Sequence, residues 1–390
     1  MLSKSRWPRV MGALGASALV AAVVVGCSGS GASPTGIGPF ATGVNAAALG
    51  SGPLGSGALA SGGSGTINQI SAKFDYRDRL ITPLAHLYGK FLPDFVVVNV
   101  TNGSSSTVKV EVTTEITSLT DQSTDTLTIE PGVTKQVRQS PNLTPAAISS
   151  LDTEKQANVH VIVSYLDNGQ PRTVLDQTAT TTVSSRRDFP WQIQGMTEAQ
   201  DFELLATMIT PTDPKVEELI TKAAKYDPDK VMEAGYQTVN DSDGSVKQRL
   251  ADIWQAETTD YHLTYVSTTE TFDGSSQRIR LPTEVLTGGS GNCIETSLLY
   301  AAAAEALDLE AVLVLIPGHA YMGVNLDGQG NNWYWVETTM IGRYGFADAL
   351  KEGAAEFSDA SPHIKAAESQ YGLVNVDKAR ADGITPIPWS

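Results

Sequence analysis

Three residues of the chain have the side-chain types that nucleophilic catalysis on a carbonyl requires. Cys293 opens the run CIETSLLYAAAAEAL, His319 lies in PGHAYMGV, and Glu337 lies in WYWVETT. A thiol that attacks a carbonyl needs a base to take its proton and an acid to orient that base. The three residues follow one another on segments whose patterns predict a helix start, a strand and the next strand.

Cys293 lies where a glycine-rich loop becomes a helix. Glycines occupy positions 288, 289 and 291, and Ser290 or Asn292 is suited to cap the helix. The unpaired N–H groups and the dipole of a helix start favour an anion, and therefore a reactive thiolate. A buried free cysteine is also common as a small apolar residue. From this helix alone, a reactive and a packing cysteine are equally good interpretations.

The segments after the helix must bring the other two side chains to the thiol. The run at 311–326 predicts two strands around a Pro-Gly break, and DGQGNN predicts a turn into the strand at 333–340. If these strands pair as hairpins, His319 and Glu337 are neighbours, and a helix packed on the sheet brings Cys293 to His319. Each residue also has an ordinary interpretation, because strand-end histidines and strand glutamates are commonly solvated.

The segment RIRLPTEVLTGGSGNCIETSLLYAAAAEALDLEAVLVLIPGHAYMGV resembles the transglutaminase-like superfamily, a branch of the papain-like cysteine enzymes. The matching pieces are GNCIE before a helix, PGHAYMGV on a strand and WYWVETT on the next. The resemblance covers about residues 275–345. It implies an α+β fold with Cys293 as nucleophile, His319 as general base and acid, and Glu337 in the place usually held by aspartate.

The same resemblance implies a side chain that stabilises the oxyanion near the nucleophile. Gln277 is the candidate, with the backbone N–H of Cys293 as the second donor. The implied chemistry is acyl transfer through a thioester. Water as acceptor gives a peptidase or amidase, and an amine gives a crosslinking transglutaminase. We expect hydrolysis of peptide or amide bonds, with cell-envelope proteins or peptides as substrates.

Two alternatives belong to other classes of protein. If the longer arm of Glu337 fails to orient the imidazole, the chain is a catalytically weak or inactive binding lipoprotein that keeps the fold. Cys293, His319 and Glu337 are also possible zinc ligands. Their spacing lacks the close ligand pairs of zinc motifs, so we predict no metal and no cofactor.

The N-terminus predicts export and lipidation. Residues 1–26 have a basic start and an apolar run from Met11 to Val25, which is typical of a signal peptide. VVVGC resembles a bacterial lipobox, with Cys27 as the lipidated first residue; an ordinary signal peptide or an uncleaved anchor is the alternative. A lipid there would hold the protein on the extracytoplasmic side of a membrane in the cell envelope.

Composition restricts the partners and the size of the folded part. The formal net charge is −16 over 390 residues, which disfavours a nucleic-acid partner. The length allows about two domains. Residues 27–66 are rich in Gly, Ala and Ser and lack charged side chains, so they predict a flexible tether.

The remaining chain predicts an α+β protein with two domains. Residues 67–187 alternate apolar and polar residues between turn signals, which predicts an antiparallel β-sandwich. In that segment, Val108, Val110 and Val112 are expected to be buried. The pattern becomes helical after SSRRDFPWQIQG, and residues 188–390 form the transglutaminase-like domain. There, Asp213 is expected to cap a helix that begins at Pro214.

Overall fold

The computed structural model describes residues 57–140, 142–238, 241–242, 244–267, 276–328 and 330–388. All of these residues belong to one compact unit, Gly50–Ser390. The predicted signal peptide, the predicted lipidation site Cys27 and the first part of the predicted tether lie outside the described residues. The described chain is a mixed α+β protein with several sheets, as the sequence predicts.

The first part of the described chain forms two sheets. One has the strand order β1-β2-β4-β7 and is antiparallel throughout. The other has the order β3-β9-β8-β5-β6, with β3 parallel to β9 and the other pairs antiparallel. The elements in chain order are β1 (Leu59–Ile67), β2 (Ile70–Arg77), β3 (Arg79–Leu80), β4 (Val96–Asn102), β5 (Val108–Ile116), β6 (Ser123–Ile129), β7 (Thr134–Gln139), α1 (Pro145–Ser150), β8 (Lys155–Asp167) and β9 (Gln170–Val183).

Alternating burial explains why these segments are strands. In β5, Val108, Val110 and Val112 are buried, whereas Lys109 and Glu111 are exposed. This period of two places every second side chain on the apolar face of the sheet. The predicted burial of the three valines is confirmed.

The prediction of a flexible tether up to residue 66 is wrong for its last part. Residues Leu59–Ile67 form β1, which pairs with β2 along its length. The glycines permit close packing: a Cβ on Gly65 would lie 2.0 Å from the carbonyl oxygen of Val174, and one on Gly62 would lie 1.9 Å from the ring of Phe74. The composition of this segment by itself predicts an unstructured chain. In the structure, β2 supplies hydrogen-bond partners for its backbone.

In the second part of the described chain, a buried helix packs on a four-stranded antiparallel sheet of order β16-β15-β14-β17. Two small strand pairs, β10 with β12 and β11 with β13, precede this sheet in the sequence. The elements are β10 (Asp188–Pro190), α2 (Glu198–Glu203), α3 (Pro214–Ala223), α4 (Ser245–Thr259), β11 (Thr264–Tyr265), β12 (Ser276–Arg278), α5 (Pro282–Gly288), β13 (Ser290–Gly291), α6 (Cys293–Ala306), β14 (Ala311–Ile316), β15 (His319–Asn325), β16 (Trp333–Val336), α7 (Phe346–Lys365), β17 (Gly372–Asn375) and α8 (Val376–Asp382).

Helix α6 is the centre of this part. Every residue from Cys293 to Ala304 is buried, so the helix is enclosed on all sides and is not amphipathic. It packs on β14 and β15 and against α3 and α5. The predicted cap of α3 is confirmed, because the side chain of Asp213 accepts a hydrogen bond from the Lys215 N–H. A buried helix on a sheet is the arrangement that brings its first residue to the strand ends.

One strand prediction differs from the structure in detail. The strand expected at 333–340 ends at Val336, and Glu337 caps a short 3-10 turn at Thr338–Met340. The C-terminal segment contributes the edge strand β17, which pairs with β14, and is followed by α8. Over the part of the chain that the structure describes, no helix combines the length and hydropathy needed to cross a membrane.

Candidate active site

Cys293 is the first residue of α6 and is 9% exposed. Asn292 caps the helix: its side chain accepts from the Glu295 N–H at 3.0 Å, and the Glu295 carboxylate accepts from the Asn292 N–H at 3.1 Å. This reciprocal pair is a capping box, which fixes the start of the helix. The predicted position of Cys293 in the first turn is confirmed, and of the two predicted caps Asn292 is the one used.

An ion pair that the sequence analysis missed holds the first turn of α6. Glu295 is 4% exposed and accepts from Arg280 through Nε at 2.9 Å and Nη2 at 2.7 Å. The backbone N–H of Arg280 donates to the same carboxylate at 3.0 Å. A buried carboxylate with this many donors is well compensated. The spacing Asn292-x-x-Glu295 is a capping signal that could have identified Glu295 from the sequence.

His319 and Glu337 form a direct pair. His319 is the first residue of β15, and Glu337 directly follows β16, its neighbouring strand. His319 Nε2 lies 2.7 Å from Glu337 Oε2, and the Glu337 side chain is only 2% exposed. The ring of Tyr321 stacks on the imidazole at a centroid distance of 5.9 Å. The longer arm of Glu337 therefore reaches the imidazole, which the sequence left open.

A chain of hydroxyl groups connects the start of α6 to the segment that carries Glu337. Ser297 Oγ donates to the Cys293 carbonyl oxygen at 2.8 Å and lies 2.9 Å from Thr338 Oγ1. Thr296 Oγ1 donates to the same Thr338 oxygen at 3.0 Å. Because Thr338 is adjacent to Glu337, these bonds position the thiol and the carboxylate relative to one another.

The electrostatics of His319 favour the imidazolium. Burial by itself lowers the pKa of His319, but its interactions with Cys293, Glu337 and Glu356 outweigh burial and raise the pKa well above the ordinary value. Burial likewise opposes ionisation of Glu337, yet the hydrogen bond and the charge of His319 hold the pKa of that carboxyl low, at about 2. Cys293, His319 and Glu337 therefore interact through one imidazole, as a nucleophilic relay requires.

Glu356 is a second carboxylate beside His319 and was not predicted. It lies on α7, and its Oε2 is 3.6 Å from His319 Nε2. That oxygen is buried and has no hydrogen-bond partner. Burial, together with the neighbouring charge of Glu337, raises the pKa of Glu356 to about 7. Nothing in the sequence marks Glu356, because only the packing of α7 on β16 brings it to the site.

Within the described part of the chain, the residues that could hold a metal ion are His319, Glu337 and Glu356. Their donor atoms all lie within 4.8 Å of one another. This set differs from the zinc set considered from the sequence, because Glu356 replaces Cys293. The 2.7 Å contact between His319 and Glu337 has the length of a charge-assisted hydrogen bond, and the pair is satisfied without an ion.

Gln277 lies on β12 and is 4% exposed. Its Oε1 accepts from the indole N–H of Trp191 at 3.2 Å, which leaves the amide NH₂ group directed away from the indole. Three residues further along, Arg280 binds Glu295 in the first turn of α6. The strand of Gln277 is thereby joined to the start of the helix, while its role at an oxyanion stays a prediction.

Tyr265 is a further residue of the site that the sequence analysis missed. It lies on β11 opposite Gly291, two residues before the thiol. Burial and then the negative charge of Cys293 raise the pKa of Tyr265. The raised pKa keeps the phenol of Tyr265 in its neutral form. A two-residue strand carries no periodic signal, so the sequence gives no reason to expect it.

Comparisons with known proteins add little to this geometry. No protein-family model and no curated protein matches the chain. A solved structure described as a crystal structure of a protein from Archaeoglobus fulgidus aligns with 33% of this chain and 97% of its own length. The identity is 8% and the TM-score is 0.20.

Proposed function

We propose that the protein is a cysteine acyl-transfer enzyme that acts on peptide or amide bonds. Cys293 would be the nucleophile, His319 the general base and acid, and Glu337 the residue that orients the imidazole. The observation that carries the proposal is the 2.7 Å contact between His319 and Glu337, on an imidazole whose pKa is also raised by Cys293 at the start of a buried helix. This arrangement is what thiol activation requires.

The proposed architecture combines a β-sandwich with a transglutaminase-like domain. The two sheets of the first part, antiparallel except for the pair β3 and β9, pack on each other through β1, β2 and β9, which supports a sandwich. The helix α6 packed on β14 and β15, with the thiol at its first residue, supports the transglutaminase-like domain over residues 188–390.

The reaction follows from the charges of the three side chains. The Cys293 thiolate attacks the carbonyl carbon, the C–N bond breaks, and the amine leaves with the proton of the His319 imidazolium. Water then attacks the thioester while His319 takes its proton, the C–S bond breaks, and the carboxylic acid leaves as the Cys293 thiolate and the His319 imidazolium are restored. The backbone N–H of Cys293 and the Gln277 amide are the proposed donors to the oxyanion. An amine in place of water would give a crosslink.

The proposed setting is the cell envelope. Lipidation at Cys27 would hold the enzyme on the extracytoplasmic side of a membrane, where peptides and proteins of the envelope are the substrates. Hydrolysis is favoured over crosslinking for such a tethered protein. The acidic composition supports a protein or peptide partner in preference to a nucleic acid.

The test is the rate of Cys293 alkylation by iodoacetamide as a function of pH. The native protein should react rapidly well below pH 8. His319→Ala should reduce the rate at pH 6 about a hundredfold, because a free thiol is almost entirely protonated there. His363→Ala is the matched control. His363 lies near the end of α7 and pairs with Glu368, so this variant should leave the rate unchanged.

Turnover assays then separate the remaining possibilities. Fluorescent envelope-type peptides, with and without an added amine, distinguish hydrolysis from transamidation. A thiol that reacts slowly at pH 6 in the native protein, with no dependence on His319, would contradict the proposal and favour the inactive binding lipoprotein. Zinc at one equivalent in the purified protein would favour the metal site of His319, Glu337 and Glu356 instead.

A further inference from the structure

A cleft of about 430 Å³ opens beside the hairpin that carries His319. Ile316 lines the cleft and is the strand partner of His319. Trp191 also lines the cleft, and its indole N–H donates to Gln277. The cleft therefore touches the candidate active site through two of its elements. Its volume is within the range of small-ligand sites.

Asp201 in the wall of this cleft has an incomplete set of hydrogen bonds. The residue is 3% exposed, and its Oδ2 accepts from the Ile193 N–H at 3.3 Å. Its Oδ1 is buried and has no partner. A buried carboxylate oxygen without a donor is costly, and it is satisfied by a cation that enters the site.

The charge of the cleft is negative. Its lining residues in the described chain include two acidic side chains, Asp201 and Glu198, and no basic one. Glu198 is held at the rim by Ser369 Oγ and the Gln370 N–H, each at 3.1 Å. Burial, followed by repulsion from Glu198, raises the pKa of Asp201 to about 6, so the carboxylate is ionised at neutral pH. The Asp201 carboxylate therefore has no basic partner among the described residues that line the cleft.

The rest of the wall suits a long apolar stem. Trp191 and Phe202 meet edge to face at a centroid distance of 6.3 Å, and Met196 and Leu315 complete the apolar lining. Aromatic faces attract an ammonium or a guanidinium in addition to packing on methylene groups. A lysine or arginine side chain has both the stem and the charge that this lining matches.

We propose that the cleft is a subsite for a positively charged side chain of the substrate, lysine or arginine, with Asp201 as its counter-ion. The identification of the ligand as part of a peptide substrate rests on the proposed function. The cation itself could also be carried by a free amine that accepts the acyl group, and the two sources share the same recognition chemistry.

Calorimetric binding to the Cys293→Ala protein, which cannot turn over, tests the subsite without activity. The probes are N-acetyl-lysine-N-methylamide, its uncharged norleucine analogue and butylamine. At pH 7.5 the lysine compound should bind at least about tenfold more tightly than the norleucine compound, because a charged hydrogen bond is gained. Added Asp201→Asn should abolish this preference. At pH 5 the preference should fall about tenfold, because Asp201 becomes protonated as the pH drops below about 6.

Glu203→Gln is the matched control, because it removes one charge from the same helix but pairs with Lys378 outside the cleft. Asp201→Asn should keep the thermal midpoint, since asparagine retains the oxygen that accepts from Ile193. Butylamine binding as tightly as the lysine compound would support the subsite and assign it to the amine acceptor.

Equal affinity for the lysine and norleucine compounds, or an unchanged preference in Asp201→Asn, would overturn the subsite. An equal loss in Glu203→Gln would do the same, because it would attribute the effect to overall charge. The proposed function can fail independently of the subsite. If the lysine compound binds preferentially but Cys293 is inert in the alkylation assay, the subsite is supported and the enzymatic function is contradicted.

Discussion

Glu337 uses both oxygens of a long side chain. Oε2 contacts His319 Nε2 at 2.7 Å, and Oε1 accepts from the Thr339 N–H at 2.8 Å. The first contact orients the imidazole, and the second fixes the carboxylate at the end of β16. The glutamate side chain is thus long enough to make both contacts from its backbone position.

Glu337→Asp should weaken the site. The shorter side chain withdraws the carboxylate by about 1.5 Å, which breaks the contact with His319 or the one with Thr339. Loss of a charged hydrogen bond should reduce peptide turnover, and Cys293 alkylation at pH 6, roughly tenfold or more. Glu352→Asp, at an exposed position of α7, is the control and should leave both rates unchanged. A clear gain in turnover would instead indicate that Glu337 compromises the enzyme.

The residues of the site differ in how far the sequence could predict them. Cys293 at a helix start was predictable, because a glycine run precedes a long stretch of strong helix formers. His319 and Glu337 were predictable as neighbours once hairpin pairing was assumed. Glu356 and Tyr265 were not, because their positions depend on tertiary packing and carry no local periodicity. The role of Gln277 is an implication of resemblance, and its contact with Trp191 became visible only in the structure.

At the scale of elements, the close approach of α7 to β16 delivers Glu356. A Cβ on Gly353 would lie 2.6 Å from the carbonyl carbon and oxygen of Trp335. Glu356 is three residues further along, on the same face of the helix. Trp335 and Phe357 stack at a centroid distance of 3.5 Å beside this contact. Gly353 therefore sets the distance between the helix and the site.

Gly353→Ala should lower the free energy of unfolding by about 1–3 kcal/mol, because the atoms in the way are backbone atoms that cannot rotate aside. Urea unfolding measures the loss. The usual gain in helix propensity from glycine to alanine runs in the opposite direction. Ala354→Ser, on the exposed face of the same turn, should change stability by less than about 0.5 kcal/mol. A stabilised Gly353→Ala protein would contradict the close approach.

At the scale of the whole molecule, the glycine-rich segment before residue 67 belongs to the fold. The strand β1 pairs with β2 and also packs on β9 of the other sheet. The glycine-rich composition of this segment predicts a linker, because glycine has no side chain to bury. The close backbone contact of Gly65 with Val174 is the physical reason that small residues are needed here.

Gly65→Val should destabilise the protein by about 1–3 kcal/mol, since its side chain would meet the carbonyl oxygen of Val174. Chemical denaturation of the mature protein is the measurement. Thr66→Val replaces the next residue, which is exposed, and serves as the control with little expected change. If both variants unfold at the same denaturant concentration as the parent, β1 contributes little to the stability of the two sheets.

The edge position of β1 also determines how a mechanical load on the N-terminus would reach the protein. Among the described residues β1 pairs with β2 alone in its sheet, and its Leu59 end, opposite Arg77, comes first in the chain. A pull through the proposed lipid anchor would act first on the backbone hydrogen bonds at that end. Release of the nine residues of β1 would add about 30 Å of extended chain. The proposed tether would then be longer by that length, and the sheet that carries His319 is a separate one.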